Sequence, residues 1–161
     1  MKDARKYLAA WLRDAHAMEG KALTLLETQA SRLEDKYPKV VKRIRSRLVE
    51  ILDHRLQLDR CRRQLGEKSP AADNVAIKIE TNLPDFPRWL SSDELSKHVL
   101  AYNAVEQTKG ATYHSLIAAA QAAGEPEIAR ICDGFVIQGS AMVDWMWEQL
   151  ESATRERLLT Q

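Results

Sequence analysis

The chain has 161 residues, 45% of them apolar and 29% charged, with six Gly, five Pro and a formal net charge of +1. That length suits one domain with a single real core. Scarce Gly and Pro beside abundant Ala, Leu, Glu, Arg and Lys exclude a sandwich, a barrel or a disordered chain and indicate an all-α protein. A near-neutral chain carries no global field for nucleic acid or an anionic membrane, and no apolar run approaches the roughly 20 residues of a spanning helix. The opening Met1–Lys6 mixes acid with base and has no apolar block behind it, so no signal peptide is expected. Cys61 and Cys132 lie inside helical patterns without metal-ligand spacing, which points to reduced, buried thiols of a cytoplasmic protein.

Four stretches carry a 3.6-residue apolar period. The first predicted helix covers about residues 3–35, with Leu8, Leu12, Ala15, Ala22, Leu26 and Leu33 on one stripe. The second covers 38–65, opened by Pro38 and closed at Gly66, with Val40, Ile44, Ile51, Leu58, Cys61 and Leu65 inward. The third covers 92–122, where Ser91 followed by Glu94 has the form of a capping box; its stripe is Leu95, Val99, Tyr102, Tyr113, Leu116 and Ala120. Gly124 ends it and Pro126 opens the fourth, 126–157, whose stripe is Ile128, Ile131, Phe135, Met142 and Trp145. Residues 66–91 hold Pro70, Pro84 and Pro87 and read as a long crossover, with a short helix or strand at Asp73–Ile79. Two short links around one long one describe a ferritin-like four-helix bundle in a single domain, 1–161.

Polar residues interrupt these stripes near the middle of every helix. Helical stepping turns Glu19 inward on the first helix, His54 with Gln57 at its margin on the second, Glu106 and Lys109 ahead of Tyr113 on the third, and Gln138 on the fourth. Buried polar groups are costly unless paired, so four such helices imply one shared central site. The bundle chemistry that builds such a site is a carboxylate-bridged dimetal centre, which takes Glu from two helices and Glu-x-x-His from the other two. Only Glu19 and Glu106 supply inward carboxylates, with His54, His16 and Glu50 as further ligand candidates. Lys109 sets a fixed positive charge one turn from Glu106, where a metal would sit. The expectation is therefore a metal-free polar core. In it Lys109 neutralises Glu19 and Glu106 beside Gln57, Tyr113 and Gln138, and no cofactor is needed. One ammonium facing two carboxylates would leave one carboxylate with a raised pKa, or ordered water, or a snorkelling Lys109. Iron or manganese on the vestigial ligands Glu19, His54 and Glu106 is the alternative.

The segment Leu12-Arg13-Asp14-Ala15-His16-Ala17-Met18-Glu19-Gly20-Lys21-Ala22 resembles the opening helix of the YciE/YciF stress-protein family, a ferritin-like group. Val105-Glu106-Gln107-Thr108-Lys109-Gly110-Ala111-Thr112-Tyr113-His114-Ser115-Leu116 resembles its third-helix signature, Val-Glu-x-x-Glu-x-Ala-x-Tyr-x-x-Leu. The likeness covers nearly the whole chain. Three family carboxylate positions differ: Gln57 stands where the second helix carries Glu, Lys109 where the third helix has its second Glu, and Gln138-Gly139 in the region of a Glu-Glu pair on the fourth. The resemblance implies a stress-associated protein, a homodimer made through bundle faces, and a dimetal site decayed here to Glu19, His54 and Glu106. With those losses the expected role is structural and not catalytic; the alternative is weak oxidase or peroxide-scavenging chemistry.

Residues 36–63 hold ten basic and three acidic side chains, among them Lys42, Arg43, Arg45, Arg47, Arg55, Arg60, Arg62 and Arg63. This run reads as a solvated face matched by the acidic C-terminal half. It lacks the interleaved aromatics of a nucleic-acid surface, so nucleic acid is not an expected partner. His98 and His114 read as surface residues. Trp145 and Trp147 cannot share a helix face; Trp147 is then a candidate for a subunit interface, or for packing under Phe86 and Trp89 of the crossover.

Overall fold

The computed structural model of the chain describes residues 2–68 and 87–160. Its elements are α1 (Lys2–Leu33), α2 (Pro38–Gln64), a one-turn α3 (Arg88–Ser91), α4 (Glu94–Ala122) and α5 (Pro126–Leu159). The segment Asp73–Ile79 and Phe86 lie outside the described residues. Short links join α1 to α2 and α4 to α5, and each of these pairs packs along its length; α1 also packs on α4, while α5 meets α2 more sparsely. The result is the expected ferritin-like four-helix bundle with its long connection between α2 and α4. No described helix is long and apolar enough to cross a membrane.

The helix ends follow the sequence with one correction. Pro38 and Pro126 occupy first-turn positions, where a missing N–H has no intrahelical partner to lose. Gly66 and Gly124 take the positive φ that terminates α2 and α4. The start of α4 is set by Asp93 and not by Ser91. The Asp93 carboxylate accepts the Ser96 N–H at 3.0 Å, and the Tyr37 hydroxyl donates to it at 3.0 Å. A carboxylate two residues nearer the helix is the better cap, and Ser91 belongs to α3.

The apolar stripes close on two core clusters. One gathers Leu8, Leu12, Leu58, Leu116, Ile128 and Phe135, and the other Leu26, Ile44, Ile51, Val99, Met142 and Met146. Each fully buried side chain of this size contributes about 1.5–3 kcal/mol, so the two clusters anchor the bundle above and below a polar layer. Both thiols are free and buried, and burial pushes Cys61 up to about 11 and Cys132 to about 12.

Several surface assignments need correction. Arg47 and Arg62 of the basic run are buried, and so is His98. The exposed part of that run pairs near home: Arg45 with Glu34, Arg63 with Asp59 and Arg43 with Glu50. Beyond the run, Arg47 pairs with Glu106, Lys36 with Asp93 and Arg62 with Glu67. Trp145 is half-buried, with Met146 in the fully buried position beside it, while Trp89 and Trp147 are exposed.

Candidate functional site

Glu19, Arg47, His54, Tyr102, Glu106, Lys109 and Tyr113 form one buried network between the two apolar clusters. The Lys109 ammonium lies 3.1 Å from Glu19 Oε2 and 3.2 Å from Glu106 Oε1, bridging α1 and α4. Arg47 completes the charge balance from α2. Its Nη2 donates to Glu106 Oε1 at 2.9 Å, its Nε to the Tyr102 hydroxyl at 3.0 Å and its Nη1 to Glu50 at 2.7 Å. Tyr102 in turn donates to Glu106 at 2.6 Å. On the other side, Tyr113 donates to Glu19 Oε1. The His54 ring is clamped between Glu19, 3.3 Å from Nδ1, and Gln138, 2.5 Å from Nε2, and packs on Phe135.

Two carboxylates therefore face two basic side chains in a buried layer. Burial alone would raise Glu19, but Lys109, His54 and Tyr113 pull it down to about 2. Glu106 is likewise held below the usual carboxylate range against burial, by Lys109, Arg47 and Tyr102. Burial and the adjacent carboxylates push the Tyr102 and Tyr113 hydroxyls up, so both remain donors at neutral pH. The raised carboxylate expected from a single ammonium is absent because Arg47 supplies the second cation. Lys109 does not snorkel; it is 1% exposed.

Six of the seven polar residues singled out from the sequence meet here: Glu19, His54, Glu106, Lys109, Tyr113 and, reaching in from an exposed position, Gln138. Gln57 does not. It is half-buried at the margin of α2 and donates to Asp53 on its own helix. Glu50 sits at the rim, tied to Arg47 and Arg43, and His16 is half-buried one turn before Glu19. Arg47 and Tyr102 were missed as site residues. The signal for Arg47 was available, because the steps 44, 47, 51, 54, 58 and 61 pass through it, but its charge placed it with the basic face. Tyr102 was placed on the stripe as core; a buried phenol also needs a hydrogen-bond partner.

A narrow cleft of roughly 160 Å³ between α4 and α5 reaches this layer past Glu106, Lys109, Tyr113 and Gly139. A Cβ at Gly139 would run into Glu106 Oε2, so the glycine makes room for that carboxylate. The residues present do not fit the dimetal centre that a ferritin-like bundle would hold. An iron or manganese ion would have to displace Lys109 from both carboxylates and Arg47 from one of them. Among the described residues no group of three or more His, Cys, Asp or Glu converges as ligands.

Fold and site thus define an all-α bundle whose central layer is an internal, charge-balanced ion-pair network. Residues 3–159 match the family model described as Domain of unknown function (DUF892), and the chain belongs to that family. It is also similar to the crystal structure of a protein from Xanthomonas campestris pv. campestris, 31% identical over 98% of this chain and 97% of that one, with a TM-score of 0.77.

Proposed function

We propose that this chain is a non-catalytic, ferritin-like structural protein in which an ion-pair network has taken the place of a dimetal centre. The observation that carries the reading is the Lys109 ammonium within 3.2 Å of both Glu19 and Glu106. It occupies the bridging position that a divalent cation would need, and Arg47 leaves no net negative charge to attract one. The association with stress responses rests on the resemblance to YciE/YciF proteins. The test is metal content per chain by plasma mass spectrometry, after incubation with iron(II) or manganese(II) and desalting. Near zero is expected. One or two metal ions per chain, lost on Glu19→Ala or Glu106→Ala, would overturn the proposal and establish the alternative, a weak metal-dependent oxidase or peroxide scavenger. The cleft reaching Glu106 and Lys109 is the observation that favours that alternative.

A homodimer belongs to the same proposal, and the outer face of α4 supports it. Between Lys97 and Glu125 the only formal charges are Glu106 and Lys109, both buried, while Thr108, Ala111, Ser115, Ala118 and Ala122 are exposed at helical spacing. A helix without a charged face is fitted to packing on both sides. Sedimentation of the native chain should give twice the chain mass, and Ala111→Glu with Ala118→Glu should give the monomer. A native monomer would remove the dimer from the reading.

A further inference from the structure

The outward face of α2 places an apolar triad between basic ends. Val49, Leu52 and Leu56 are 67%, 49% and 62% exposed, and steps of three and four hold them within about 60° of one another around the helix. Lys42 and Arg45 stand on the same face before the triad and Arg60 and Arg63 after it, all exposed. The outward face of α5 carries the inverse. Ile137 is 63% exposed, with Ala141 exposed one turn on; Asp133 precedes them, and Asp144 and Glu148 follow. Lys42, Arg60, Asp133, Asp144 and Glu148 have no ion-pair partner among the described residues. Asp53, the acid at the margin of the basic face, is held by Gln57.

The two faces match in spacing and in height. Arg45 to Arg60 and Asp133 to Glu148 each span about 22 Å of helix. The ion pairs Arg5–Glu125 and Lys36–Asp93 set α4 antiparallel to α1, and the short links do the same for α1 with α2 and α4 with α5, so α2 and α5 are antiparallel to each other. The His54–Gln138 hydrogen bond fixes their relative height. Counting outward from it, and to within one residue, Leu56 stands level with Ile137, Leu52 with Ala141, Arg60 with Asp133 and Arg45 with Glu148. In one molecule both faces look outward and these charges stay unpaired. A rotation of 180° about an axis parallel to the helices keeps every height, so it sets α2 of one copy against α5 of another with each pair facing, twice over. The α2–α5 edge is also sparsely packed, and Gln138 is exposed there although it bonds to buried His54. An anionic lipid surface would meet the acidic α5 face beside the basic one, whereas a second copy satisfies both. We propose that the basic, apolar-centred face of α2 docks on the acidic face of α5 of a second copy, and reciprocally, in a two-fold contact separate from the uncharged α4 face.

The test is sedimentation of the full chain carrying Ala111→Glu with Ala118→Glu, which takes away the α4 contact and leaves this one. The α2–α5 contact rests on charge. It forms at about 0.01 M salt, where the screening length is about 30 Å, and is lost toward about 1 M, where that length is about 3 Å. The variant should therefore be a dimer at low salt and the monomer at high salt. Adding Lys42→Glu with Arg60→Glu should keep it monomeric at both, and so should adding Asp133→Lys with Glu148→Lys, because each opposes like charges. An equimolar mixture of the two charge-reversed chains should regain the dimer at low salt: an acidic α2 then meets a basic α5, and the unaltered faces match as well. A monomer at low salt overturns the proposal, as does pairing that survives either reversal or a mixture that stays monomeric. Binding of a monomeric chain to phosphatidylserine vesicles, lost with Lys42→Glu and Arg60→Glu, would give the face to a lipid surface and overturn it equally. Failure of the α4 dimer reads out separately, as a native monomer at high salt.

Discussion

The guanidinium of Arg47 and the ammonium of Lys109 converge on a single oxygen of Glu106, at 2.9 and 3.2 Å. Lys109 also reaches Glu19 at 3.1 Å, so removing it strips a cation from two buried carboxylates at once. Breaking a buried pair by deleting one partner costs roughly 3–5 kcal/mol, because the remaining charge stays buried and uncompensated. Lys109→Met, which keeps the length of the stem, should lower stability by about that amount in urea unfolding. Glu19→Gln added to Lys109→Met should recover part of the loss. Additive losses in the double variant would mean the pair is not coupled.

Acid should unfold the protein in two separable windows. Glu19 is depressed from 4.5 to about 2 in the fold. Its stabilisation is therefore complete above 4.5 and is lost as pH falls toward 2, where the folded carboxylate finally takes its proton. His98 is a base drawn from 6.5 down to about 4 by burial. Between those values the unfolded chain binds the proton and the folded chain does not, so stability again falls with pH, but in the higher window. Glu19→Gln should flatten the lower limb and His98→Phe the upper one. Stability measured across both windows checks this, and a His98→Phe profile identical to the parent between 6.5 and 4 would contradict the assignment.

The bundle was legible in the sequence because its helices repeat: Leu8, Leu12, Ala15, Ala22 and Leu26 all turn inward, as do Leu95, Val99, Tyr102 and Leu116. A period of 3.6 reports direction and is blind to chemistry, which is why it found Glu19, His54, Glu106 and Lys109 and lost Arg47. A charge on an apolar stripe could be read as a solvated neighbour, and only the position of Glu106 across the bundle reveals its partner. Gln57 failed in the opposite way. Its angle on α2 is marginal, and Asp53 one turn back offers an acceptor that no tertiary contact has to supply. His98 was legible by the same rule as Arg47, since it stands three residues after buried Leu95 and four before buried Tyr102. Among the described residues, every member of the network comes from the four long helices.

Two glycines on facing helices should respond to the same substitution with opposite signs. Gly110 in α4 has nothing within 4 Å of where a Cβ would stand, so Gly110→Ala should stabilise by about 0.5–1 kcal/mol through helix propensity alone. Gly139→Ala gains a similar amount from propensity, about 1 kcal/mol, but drives a methyl into Glu106 Oε2. That carboxylate cannot simply withdraw, because Arg47, Tyr102 and Lys109 hold its other oxygen. Overpacking of this kind costs about 1–3 kcal/mol, which exceeds the gain. Thermal midpoints should rise for Gly110→Ala and fall for Gly139→Ala; a rise in both would mean that Glu106 is loosely held.

If the network stands in for a metal centre, reversing its charges should create one. Lys109→Glu alone is not expected to suffice, because Arg47 would remain on Glu106 and continue to satisfy a carboxylate that the metal needs. Gln57→Glu should add nothing, since that side chain faces Asp53 and not the layer. The effective combination is Arg47→Leu with Lys109→Glu and Gln138→Glu. It removes both cations and adds carboxylates on α4 and on α5, where Gln138 already touches His54. Together with Glu19 and Glu106 this gives the oxygen-rich, imidazole-supported donor set that iron(II) or manganese(II) prefers. The triple variant should retain metal through desalting, while the parent and Lys109→Glu retain none, as read by plasma mass spectrometry. Equal retention by the single and triple variants would show that Arg47 is no obstacle, and failure of the triple variant to bind while still folded would show that the layer was never shaped for a metal.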